Sequence, residues 1–133
     1  MKNSFWLILL FIGFVFLACG KMEKPEAGRQ AAKAAKEYYD LLLQEKYDSF
    51  VMGYNRPCHL PQSYHEQLLL NIKMFVEQQK KEHRGIVNVG ILNVKADTSR
   101  HVSEVFLQMI YGDSTKEQIL VPMVNVNGVW KMR

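Results

Sequence analysis

The chain has no apolar run long enough to cross a bilayer as a helix. Its longest, Phe5 to Ala18, is fourteen residues, where a spanning helix needs about 20. Cysteine is scarce, with two in 133 residues, so a disulfide framework is not the basis of the fold. Charge of one sign is scarce too: 17 Lys+Arg against 13 Asp+Glu, a net +4 with no basic block, which speaks against a nucleic-acid partner. No glycine-rich phosphate cradle follows a strand-like segment, and no serine sits in a nucleophile elbow. Cys58, His59 and His65 are metal-ligand types, but adjacent Cys58 and His59 cannot easily aim at one ion and no second pair completes four ligands. Neither a metal nor a cofactor is expected.

What is present begins with a single cation, Lys2, followed by the apolar run and the small residue Ala18. This is the layout of a signal peptide, whose apolar region is about 7 to 15 residues and ends at a small-residue cleavage site. Cys19 follows directly, and Phe16-Leu17-Ala18-Cys19-Gly20 resembles the lipobox of bacterial lipoproteins. Phe16 departs from the leucine-like residue usual there. The resemblance implies cleavage after Ala18 and a diacylglyceryl group on Cys19, hence a protein held on a membrane in the bacterial cell envelope and facing the periplasm or the exterior. Each buried CH₂ contributes about 0.8 kcal/mol, so two or three acyl chains would make a lasting anchor. Lipidation consumes the Cys19 sulfur and leaves Cys58 alone, and no intramolecular disulfide is expected. Loss of Lys2 lowers the charge from +4 to +3.

The expected organisation is therefore a signal peptide over 1–18, a lipidated cysteine and polar tether over 19–28, and one α+β domain over 29–133. Ala31, Ala34, Ala35, Tyr38, Leu41 and Leu42 recur at steps of three and four, predicting a helix over 29–44 with one apolar stripe. Tyr47, Phe50, Val51 and Tyr54 predict a second, short helix ending at the Asn55-Arg56-Pro57 turn. Ser63 and Glu66 have capping-box spacing at the start of a third, whose apolar face carries Leu68, Leu69, Ile72, Phe75 and Val76, with Gly85 as its left-handed cap.

Beyond Gly85 the period becomes two. Segments 86–96, 101–111, 115–126 and 129–133 predict four strands in antiparallel succession. Helices first and strands after mean α+β. Asn127-Gly128 suits a type I′ hairpin, whose two turn positions both need positive φ. That register sets Val126 opposite Val129, Asn125 opposite Trp130 and Met123 opposite Met132, placing Ile119, Val121, Met123, Trp130 and Met132 on one face. A three-residue turn, Gly112-Asp113-Ser114, aligns Val105, Leu107, Met109 and Tyr111 with the same face by pairing Leu107 with Ile119. Pro122 has no N–H to give and should sit at a bulge or face an unpaired side.

This order of elements, with "AAKAAKEYYDLLLQEKYDSFV" early and "NGVWKMR" at the end, resembles small bacterial lipoproteins of the nuclear transport factor two superfamily, which have the cone-shaped cystatin-like fold. The resemblance implies helices packed on a curved four-stranded antiparallel sheet with a pocket between them, in a group that spans isomerases, dehydratases and scaffolds. Enzymes of the ketosteroid-isomerase kind use carboxylates buried inside the cone. Here the strands hold only Glu104, on the outer face by register, and Glu117, while Asp97 and Asp113 fall in turns and Asp40 and Asp48 on polar helix faces. No catalytic set is identified.

The leading expectation is a membrane-anchored lipoprotein carrying a small ligand-binding or protein-interaction domain. An isomerase or dehydratase using the cone pocket, and a purely structural dimer, are the alternatives. A small apolar ligand would meet His101, Asn125 and Trp130, aligned across three strands on the concave face, with Tyr38, Leu42 and Phe75 as apolar walls. The simpler reading of the same residues is that His101 is a solvated strand-end side chain and Trp130 plugs the core. A homodimer would use the outer sheet face, where Val102, Phe106 and Ile110 lie.

Overall fold

A computed structural model describes residues 25–133; the expected signal peptide, Cys19 and the first part of the expected tether lie outside the described residues. Three helices, α1 (Pro25–Leu43), α2 (Tyr47–Met52) and α3 (Gln62–His83), precede four strands, β1 (Ile86–Asp97), β2 (Val102–Tyr111), β3 (Lys116–Val126) and β4 (Val129–Met132). The strands form one antiparallel sheet in chain order. Helices followed by a four-stranded antiparallel sheet make the α+β class that the change of period indicates. Among the described residues no helix is long and apolar enough to cross a membrane.

Helix α1 lies across the sheet. Its buried face is built from small side chains, Gly28, Ala31, Ala32 and Ala35, continuing to Leu42. Small residues let the helix axis come close: a Cβ placed on Gly28 would meet Val94 Cγ1 at 3.3 Å. The helix already includes Pro25–Gly28, so these residues, expected as the end of a tether, belong to the packed domain. A tether reading rested on the polarity of the segment; burial of Gly28 beneath β1 has no hydropathy signature.

The register of the sheet is the one the turns dictate. Val126 pairs with Val129, Asn125 with Trp130, Met123 with Met132, Leu107 with Ile119 and Val105 with Val121. Asn127 and Gly128 both have positive φ, 52° and 86°, as a type I′ turn requires. Ser114, at φ 69°, takes the left-handed position of the three-residue turn. Val105, Leu107, Met109, Tyr111, Val121, Met123, Trp130 and Met132 are all buried on the face that α1 covers. Pro122 is in regular register with Glu104, not at a bulge. Its carbonyl accepts the Arg133 N–H (2.9 Å), and since N–H and C=O of one strand residue point the same way, its bare nitrogen faces the side where β4 ends.

Three local departures from the sequence reading have identifiable causes. Helix α3 begins at Gln62, with Pro61 as N-cap (φ −57°, ψ 148°) and no side-chain cap bond, so Ser63 lies inside the first turn, Glu66 just beyond it, and they form no capping box. The proline ring presets the entry angle and its carbonyl accepts the Tyr64 N–H (3.0 Å), which starts the helix one residue before the serine. At the other end the left-handed turn falls on Arg84 (φ 61°) before Gly85 (φ 84°). The third departure is in β1, where pairing slips between Ile86 and Asn88 and between Ile91 and Asn93, leaving Val87 and Leu92 as extra residues. Each is followed by an asparagine whose Oδ1 accepts the next backbone N–H, Asn88 to Val89 and Asn93 to Val94, both at 2.8 Å. The asparagines satisfy donors that the bulges release from the ladder.

Candidate functional site

Helix α2 ends at Gly53, and only glycine fits there, because an added Cβ would stand 2.5 Å from the Tyr38 ring. From this point the chain runs beside β4: the Met132 N–H donates to the Gly53 carbonyl (2.8 Å) and the Asn55 N–H to the Met132 carbonyl (2.7 Å). A single parallel bridge, Tyr54 to Met132, covers the free edge of β4. Asn55 and Arg56 thereby come to lie beside Arg133, with α3 closing the opposite side.

The result is a cleft of about 460 Å³ between α2 and α3, within the 300–1,000 Å³ common for small-molecule sites. Phe50, Val51, Leu68 and Ile72 make its apolar floor, and Arg56, Arg133, Asn55 and Asn71 its polar rim. The floor is stiff: the Phe50 ring is held edge-to-face by Tyr39 (5.3 Å between centroids) and Tyr54 (5.8 Å). Burial raises the phenol pKa of both tyrosines, which stay neutral. Arg56 stands at the boundary with a neighbouring groove lined by Cys58, His65 and Lys131. Its Nη2 donates to Met52 Sδ at 3.4 Å, and its Nη1 lies 3.4 Å from His65 Nδ1. His65 Nε2 in turn faces Asp48 Oδ1 at 3.3 Å. Arg56 thus addresses Nδ1 of the ring and Asp48 its Nε2.

The residues expected to form a pocket meet only in part. His101, Asn125 and Trp130 do surround one cleft, but it measures about 130 Å³. His101 belongs to the β1–β2 turn, not to the strand; it is exposed, has a φ of 56°, and its carbonyl accepts the Asn125 N–H (2.7 Å). Asn125 Oδ1 is taken by the Gly128 N–H (2.8 Å), so it ties the last hairpin. Trp130 is buried and its Nε1 is without a partner among the described residues. Tyr38 donates to the Trp130 carbonyl (2.9 Å), Leu42 is enclosed in the core, and Phe75 lies on a different surface of α3. The three walls thus do not converge on the His101 cleft. Sequence reasoning missed Arg56 and Arg133 because the bridge that joins their neighbourhoods is one residue long and leaves no periodicity.

The carboxylates weighed for catalysis are accounted for individually. Glu104 is exposed on the outer face opposite Lys95, Asp97 Oδ1 caps its own turn through Ser99 and Arg100, and Asp40 pairs with Lys36 at 2.7 Å. Glu117 accepts a hydrogen bond from Tyr111, whose phenol is pushed up first by burial and then by that carboxylate. At the same end of the sheet Asp113 faces His83 Nδ1 at 2.9 Å and accepts from the Thr115 hydroxyl at 2.6 Å. The hydroxyl bond and then the His83 contact lower its carboxyl to about 2. Thr115 Oγ1 lies 3.5 Å from that same Nδ1, so carboxylate and hydroxyl address one nitrogen and no relay through both ring nitrogens exists. The cluster is a clasp between α3 and the β2–β3 turn.

No family model and no curated protein matches the chain. Among solved structures it is similar to a candidate NTF2-like transpeptidase from Campylobacter jejuni, with a TM-score of 0.62 at 9% identity, over 75% of this chain and 94% of that one. At such identity the likeness is one of fold: N-terminal helices packed on a four-stranded antiparallel sheet, NTF2-like.

Proposed function

We propose that the protein is a lipoprotein, anchored to a cell-envelope membrane through Cys19, whose NTF2-like domain binds a small ligand in the cleft between α2 and α3. The observation that carries the binding reading is the cleft itself, a ligand-sized space with an apolar floor and convergent polar groups at one rim. The anchor rests on the Ala18-Cys19 sequence alone. A native mass spectrum of the full chain, gently extracted from membranes, tests the binding reading: it should show a retained small molecule. Clean protein whose spectrum is unchanged by any added amphiphile would contradict it. Radiolabelled fatty acid tests the anchor, since Cys19→Ser should abolish the label and retain an uncleaved or released precursor.

A second reading is a homodimer through the outer sheet face. What favours it is the cross-strand pair Phe106–Leu120 with Val102–Val124 on the uncovered side of the sheet, Leu120 being 50% exposed. Gln108–Gln118 bounds that strip at one end, while Glu104, opposite Lys95, stands between its two apolar pairs. Analytical ultracentrifugation decides it, and a monomer at high concentration would end it.

A further inference from the structure

Resting on that binding reading, we infer that the α2–α3 cleft recognises an amphiphilic anion, a molecule with a carboxylate or phosphate at the end of an apolar chain. Charge complementarity carries the inference. The lining includes Arg56 and Arg133 and no aspartate or glutamate. Neither arginine has an ion-pair partner among the described residues. The nearby carboxylate of Asp48 is directed to His65 instead. The Arg56 contacts to Met52 sulfur and the His65 ring, both in the neighbouring groove, hold its guanidinium at the boundary between groove and cleft without neutralising it.

The main chain that carries both arginines is tied down: the Arg133 N–H donates to the Pro122 carbonyl, and Arg56 follows directly on Asn55, whose N–H donates to the Met132 carbonyl. The planar fork of an arginine suits the oxygens of a carboxylate or phosphate, which take paired N–H bonds. In the same lining Phe50, Leu68 and Ile72 offer only apolar surface. A free inorganic anion would leave that floor unused, and a neutral apolar molecule would leave both cations unused.

The test uses the full chain in a neutral maltoside detergent, with sodium dodecanoate, dodecyl phosphate, 1-dodecanol and inorganic phosphate as probes, and native mass spectrometry as the readout. Dodecanoate or dodecyl phosphate should be retained at one per chain, with dodecanol and inorganic phosphate at least about tenfold weaker, the factor expected for loss of one charge-assisted contact. Which of the two anions binds better identifies the head group. Arg56→Gln combined with Arg133→Gln should remove the preference for the anion at an unchanged melting temperature. Asn71→Asp, on the exposed rim, should weaken the anions and not the alcohol. Equal retention of dodecanol and dodecanoate would overturn the anion inference while leaving a binding cleft. Inorganic phosphate binding as well as dodecyl phosphate would overturn it too, and retention of no probe would count against the binding reading as well.

Discussion

Helices α1 and α3 are close in length, 19 and 22 residues, yet they stand in opposite relations to the sheet. α1 contacts all four strands and buries Ala31, Ala32, Ala35 and Leu42. In α3 only Val76 and Gln79 are buried, while Leu70 (51%), Met74 (61%) and Tyr64 (45%) are exposed. Leu68, Leu69, Ile72 and Phe75 of α3 pack half-buried against the core, and polar contacts add discrete ties. His65 reaches Asp48 near its start, Lys80 reaches Glu45 at 2.6 Å, and His83 reaches Asp113 at its end. The difference teaches that α1 is part of the core and α3 lies at its margin; on the proposed binding reading a ligand would enter along α3 without opening the core.

Substitutions sharpen that contrast in a graded way. Leu42→Ala on α1 should cost about 2–5 kcal/mol in chemical denaturation, because a fully enclosed side chain leaves a cavity against the sheet. Ala35→Leu should cost about 1–3 kcal/mol, since no space separates that face from the strands. At the α3 clasp the effect depends on pH. The Asp113 carboxyl is held at about 2, below its ordinary 3.8, so it stabilises the fold fully above about pH 4, and that contribution fades as pH falls towards 2. Asp113→Asn should therefore flatten the pH dependence of the melting temperature within that window and leave its shape unchanged above it. Met74→Ala, on the exposed face of α3, should stay within about 0.5 kcal/mol. A cost for Met74→Ala comparable to that of Leu42→Ala would erase the distinction between the two helices.

The same contrast governs what could be read from the sequence. The sheet was legible because a two-residue turn at Asn127-Gly128 and a three-residue turn at Gly112–Ser114 leave one register each, and parity then assigns every side chain of β2, β3 and β4 to a face. The second bulge in β1 has a signal in the sequence. Val89 and Ile91 are odd, Val94 and Ala96 are even, and such a change of parity requires an extra residue between them. The start of α3 was misplaced because Pro61 and Ser63 both offer a beginning and sequence alone does not rank them. The candidate cleft was not legible at all. It depends on the Tyr54–Met132 bridge and on how far α3 stands from α2, tertiary quantities to which no spacing in the chain corresponds.

Amide hydrogen exchange on the full chain, with and without sodium dodecanoate, tests most directly the claim that α1 is core and the α2–α3 cleft is the receiving surface. Without the probe, the amides of α1 should exchange only through global unfolding and those of α3 considerably faster. With it, exchange should slow over Tyr47–Met52 and the first half of α3 while α1 stays as it was. Equal protection of α1 and α3 without the probe, or slowing in the presence of dodecanoate that is confined to the His101, Asn125 and Trp130 cleft, would contradict the account.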